Sequence, residues 1–243
     1  MPPIARPFPR FIADTAQQAR PYGDWEERLG AAFAEACAPL TAEGADSPVD
    51  VSTLRLFPER TWGRRTYVPV VGRASDADGG MPEYYGYVSF EASEGEGDAP
   101  GDPGELSAEA DFTDITADDN PDWEIDLNDA VIGQWHGDGG RGGDVTLIWG
   151  TPLVRGAIAS SAELEGEVLD QAAVNDGRFT LLAVDAVHGF GDELYLDVKL
   201  WDRRLSELAS ESLYESDDEA DEEAEAEEPA AEAEADDAGK PAS

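Results

Sequence analysis

The sequence predicts an α+β domain built on a largely antiparallel sheet with two or three helices. Three patterns carry that expectation. Apolar residues recur at helical spacing after Asp24, and strand-like runs joined by short connections follow from Val51 to Ala92. Beyond residue 105, apolar and polar residues alternate strictly. The domain is expected over residues 22–214. It is flanked by a proline-rich N-terminal arm (1–21) and a disordered acidic tail (215–243), and it is interrupted by a flexible insertion near 93–104.

The arm carries Pro2, Pro3, Pro7, Pro9 and Pro21, and it reads as extended chain. Asp24 is a good N-cap, and Glu27 completes a capping-box pattern. Trp25, Leu29, Phe33, Ala36 and Leu40 make one apolar stripe, and Pro39 ends the helix. Val51–Phe57, Thr66–Gly72 and Glu83–Ala92 read as three strands of a meander. Glu59–Arg64 is expected as a turn, and Pro69 points to an edge position or a bulge.

Leu106, Ala108, Ala110 and Phe112 alternate with polar residues, as do Trp123, Ile125 and Leu127. Val131–Trp135 and Val145–Trp149 flank a glycine-rich hairpin loop. A second helix is expected from Ser160 or Ser161, with Leu164, Val168 and Ala172 on one side and Asn175-Asp176-Gly177 as its stop. Phe179–Val187 and Glu193–Trp201 are strands. Residues 203–214 suit either a closing helix or, over Leu208–Tyr214, a last strand.

The order helix, three strands, insertion, helix, two strands is similar to that of type III secretion chaperone-like folds. That resemblance implies a small, acidic, non-catalytic binding protein.

Charge narrows the function classes. The net charge is −39, and arginine outnumbers lysine 14 to 2. Residues 1–73 are neutral, whereas the rest of the chain is strongly acidic. Such a field repels nucleic acid and anionic membranes and attracts basic proteins. No stretch nears the ~18 consecutive apolar residues of a membrane helix. The N-terminus lacks a secretory h-region, so a cytoplasmic protein is expected. The single cysteine, Cys37, excludes an intrachain disulfide and any zinc site with two cysteine ligands. It is expected as a small buried hydrophobe.

Two constellations are the candidate sites. Arg55, Arg60, Arg64, Arg65 and Arg73 interleave with Trp62 and Tyr67, and only Glu59 opposes them within this stretch. Arginine beside aromatics binds phosphate, single strands or acidic peptides. Alternatively, these arginines pair with the protein's own carboxylates, including those of the acidic tail. Asp118, Asn120, Asp122, Glu124, Asp126 and Asp129 fall at positions 1, 3, 5, 7, 9 and 12 of a calcium-loop pattern. Trp123 replaces its glycine and Asp129 its bidentate glutamate, and the same residues also read as a strand with acids outward.

His136 and Asp138 form a His-x-Asp pair at a hairpin end. Gly137–Gly143 lacks the following helix that a phosphate loop requires. No linear catalytic motif is present, and no cofactor is called for. The expected function is a non-enzymatic acidic binding or adaptor protein, chaperone-like, that engages a basic or apolar protein surface. The alternatives are an enzyme or small-ligand-binding domain with a non-linear site, and an acidic mimic of nucleic acid.

Overall fold

The computed structural model describes residues 23–40, 48–74, 82–91, 105–136, 142–164, 166–184 and 196–213. The N-terminal arm, the 93–104 insertion and the acidic tail lie outside the described residues. The chain divides into two units, Met1–Leu213 and Tyr214–Ser243, and all described residues belong to the first.

The fold is mostly β, and this corrects the α+β expectation. Among the described residues there is one α-helix, α1 (Gly23–Cys37), and one short 3-10 turn, Val51–Thr53. The described residues form twelve strands in three antiparallel sheets. The first sheet runs β1 (Arg55–Leu56), β3 (Arg65–Arg73), β4 (Glu83–Glu91) and β5 (Ser107–Thr113), with β2 (Arg60–Trp62) also paired to β3. The second has the order β10 (Phe179–Val184), β7 (Gly142–Pro152), β6 (Ile125–His136). The third has the order β12 (Glu207–Ser212), β11 (Leu196–Trp201), β8 (Ala159–Leu164), β9 (Glu167–Ala173).

The expected first helix forms. Its stripe of Leu29, Phe33 and Cys37 packs on Val68, Val70, Tyr84, Val88 and Phe90, which share one face of the first sheet. Each such apolar burial contributes roughly 1.5–3 kcal/mol. The alternate residues of the same strands, Tyr67, Val71 and Tyr87, face the other way and meet Leu147 and Trp149 of β7. Ile148, Phe179 and Leu181 are fully buried on the far side of the second sheet. There β10 lies against β8 and β9. The layers are therefore helix, sheet, sheet, sheet.

The expected second helix does not exist. Its residues form the β8–β9 hairpin instead, and the chaperone-like element order goes with it. The physical reason is Gly166. It sits at the hairpin turn with φ +79°, a conformation that L side chains rarely adopt, and it would weaken a helix. Asn175-Asp176-Gly177 is no helix stop either. Asp176 (φ 49°) and Gly177 (φ 73°) make a tight turn closed by the Asn175–Arg178 bridge. Glu207–Ser212 resolves as strand.

Pro69 lies in a central strand rather than at an edge. Its missing N–H faces the gap between the short strands β1 and β2, where Phe57 N–H donates to the Pro69 carbonyl (2.9 Å). No donor is lost from a ladder there. Among the described residues no helix is long and apolar enough to cross a membrane.

Candidate functional site

The face of the first sheet that looks toward the second is where chemistry collects. Arg73 and Glu83 are cross-strand partners at one end of β3 and β4. Glu83 is only 6% exposed. Arg55 of β1 reaches it at 3.6 Å and Arg73 at 4.0 Å. Arg73 also holds Asp118 of the 114–124 loop at 2.8 Å. Asp126, at the start of β6, acts on Glu83 and both arginines through space.

Two guanidinium groups thus face three carboxyls. Burial, followed by the Asp126 charge, outweighs the arginines and pushes the Glu83 carboxyl up to about 7. Burial also raises Asp126. One proton on Glu83 brings the cluster to charge balance.

The middle of the same face carries a row of tyrosine–carboxylate pairs. Tyr87 opposes Glu109 and Tyr85 opposes Asp111, each in direct cross-strand register between β4 and β5. The phenols donate to those carboxylates, and burial together with the bonds raises both tyrosines. Gly86 lies between them. A Cβ at this position would stand 2.1 Å from the Glu109 carbonyl, so glycine alone permits this spacing of β4 and β5. Tyr87 packs edge-on to Tyr67 at 5.5 Å.

The arginine–aromatic stretch is not one surface. Arg65 and Arg73 stand at opposite ends of β3, about 26 Å apart. Arg60 points inward to the seam of the three sheets. Its Nε donates to the Thr180 carbonyl of β10 (2.9 Å) and its Nη2 to the Gln171 carbonyl of β9 (3.3 Å). Asp170 lies 3.4 Å away and accepts from Leu182 N–H at 2.8 Å. Trp62 and Tyr67 pack into the core between the first two sheets. Arg64 is exposed in the β2–β3 turn, and the Arg65 Nε is buried with no hydrogen-bond partner.

The calcium-pattern residues spread along a turn and a strand. Asn120 donates to the Thr116 carbonyl, and Asp122 and Glu124 are exposed. Asp126 and Asp129 lie on β6, in register with Thr151 and Ile148, which puts them on opposite faces. Among the described residues no three His, Cys, Asp or Glu side chains converge as metal ligands. His136 is the exposed last residue of β6, while Asp138, Arg141 and His188 lie outside the described residues.

No family model, no curated protein and no solved structure matches this chain.

Sequence reasoning missed Glu83, Tyr85, Tyr87, Glu109 and Asp111. The available signal was period-2 spacing, Glu83-x-Tyr85-x-Tyr87 and Glu109-x-Asp111. It marks one face of each strand but not the register between them.

Proposed function

We propose that this protein is a non-enzymatic binding protein that presents an acidic surface to a basic protein partner. The observation that carries the reading is where its cations go. Arg55, Arg60, Arg73 and Lys199 are ion-paired to the chain's own carboxylates, and Arg178 donates to the Leu56 carbonyl. These cations are engaged within the fold. Arg64, Arg155, Arg203 and Arg204 are exposed, but exposed carboxylates, among them Glu109, Asp111, Asp114, Asp119, Asp122 and Glu124, outnumber them among the described residues. An excess of outward carboxylate steers basic partners and repels nucleic acid.

Capture on the immobilised chain tests this at about 50 mM and about 500 mM salt, where the screening length falls from roughly 14 Å to roughly 4 Å. A basic protein retained at low salt and released at high salt supports the reading. Retention identical to that on an unrelated protein of equal negative charge would sink it.

A second reading, a small-ligand or catalytic site without a linear motif, draws on Glu83, whose carboxyl is poised near neutrality. Charge balance within the cluster accounts for that poise without a substrate, which favours the first reading.

A further inference from the structure

The strands that end the sheets differ in how open they are. Arg60 and Asp170 bond to the backbone of β10, which covers it. A bulge breaks the β6 ladder between Val131 and Gly133, and another breaks that of β12 at Leu200/Trp201. β9 is bulged against β8. β1 has only two residues. Bulges and cover are the usual means by which sheet edges are protected from pairing.

β5 has neither. It pairs with β4 in unbroken register from Ser107 to Thr113, and among the described residues no strand pairs with it on its far side. Its residues alternate cleanly. Ser107, Glu109 and Asp111 are exposed on one face, while Ala108, Ala110 and Phe112 are packed toward α1 on the other. A strand end of this kind offers backbone donors and acceptors to an extended segment, although the Phe112 N–H already donates to Asp111 Oδ1 at 2.8 Å.

The charges decide which segment. Glu105, Glu109, Asp111 and Asp114 line β5 and its flanks. A second copy would set carboxylate against carboxylate, which is unfavourable in cross-strand pairs. Basic side chains at every second position would instead lie beside the exposed carboxylates of Glu109 and Asp111. Charge-assisted hydrogen bonds between such cations and carboxylates are the strong ones.

We infer that β5 is the docking edge for an extended basic segment of a partner protein, which adds a strand along Ser107–Thr113 and sets Lys or Arg side chains two residues apart against Glu109 and Asp111. The inference rests on the reading of an acidic protein that binds basic partners, and it names the place and the pattern of recognition.

Two peptides of one composition test it on the full 243-residue chain. One is Arg-Thr-Arg-Val-Arg-Thr and the other Arg-Arg-Arg-Thr-Val-Thr. Acidic segments elsewhere in the chain attract both alike, so only register with a strand separates them. The expected result is at least about tenfold tighter binding of the alternating peptide. Its amide shifts should centre on Ala108, Ala110 and Phe112, and the preference should be lost in the Glu109→Lys/Asp111→Lys variant, whose circular dichroism stays native. Both positions are exposed but accept from Tyr87 and Tyr85, so circular dichroism checks the fold of this variant first. Should its spectrum change, Glu109→Gln/Asp111→Asn serves in its place. Equal binding of the two peptides, or a preference untouched by the variant, overturns β5 as the docking edge and leaves the general acidic-binding reading standing. If neither peptide binds at low salt, the docking edge falls as well, and the capture experiment then decides the general reading separately.

Discussion

Glu83 sits 4.0 Å from Arg73, its cross-strand partner, yet its carboxyl is pushed up to about 7 rather than down. An ion pair ordinarily depresses a carboxylate. Here burial comes first, Asp126 adds repulsion, and Arg73 divides its charge with Asp118.

The consequence is a stability term that runs opposite to ordinary acid denaturation. The folded carboxyl binds its proton more tightly than the unfolded one, whose value is 4.5. The contribution is therefore full below about 4.5 and is lost as pH rises through about 7, on the order of 3 kcal/mol. Urea unfolding from pH 5 to pH 8 should show wild type losing more stability than Glu83→Gln, whose amide carries no charge to bury. Parallel pH profiles for the two proteins would contradict this account of the cluster.

Arg60 ties the three sheets together through backbone carbonyls of β9 and β10 and the Asp170 carboxylate. Arg60→Ala leaves Asp170 and two carbonyls without that partner, and a loss of about 2–4 kcal/mol is expected in chemical unfolding. Arg60→Lys should recover only part of it, because an ammonium cannot reproduce the fork of a guanidinium. Full rescue by lysine would show that charge alone is required.

Gly86 has φ +152° and no room for a Cβ beneath the Glu109 backbone. Gly86→Ala should force β4 and β5 apart and cost about 3 kcal/mol or more. Hydrogen exchange locates the effect. The β5 amides that bond to β4 should exchange much faster than in wild type, whereas those of β7 and β10 should change little. Uniform acceleration across all three sheets would mean that Gly86 supports the whole fold rather than one ladder.

How far these features could be read from residues alone depends on the range of the interaction. The α1 stripe of Leu29, Phe33 and Cys37 was legible, because helical periodicity is local and the first sheet supplies a matching face. The β8–β9 hairpin was misread because Leu164, Val168 and Ala172 happen to fit a helical period. Gly166 and Asp176-Gly177 carried the contrary signal as turn residues, and the paired strands bury Ala162 completely. The arginine stretch was visible as a run, but its fate was not. Arg60 and Arg73 are reached by Asp170 and Asp118 from distant segments, and only strand order brings those together. Tyr85 and Tyr87 were legible only as members of the strand Glu83–Ala92, and their partners Asp111 and Glu109 depend on a register that no local pattern encodes.

Cys37 closes the apolar stripe of α1 at 1% exposure, and burial pushes its thiol up to about 12. The nucleophilic thiolate is thus scarce at neutral pH, and the sulfur is shielded from reagents. Alkylation by iodoacetamide at pH 8 should be slow in the native protein and fast in urea, and the native rate should follow the opening of α1 from the first sheet. Leu29→Ala tests that dependence. It removes a fully buried side chain from the same cluster and should cost about 2–4 kcal/mol. It should also accelerate native alkylation in proportion to the population opened. A native thiol that reacts as fast as the unfolded one, in wild type and variant alike, would contradict its place in the core.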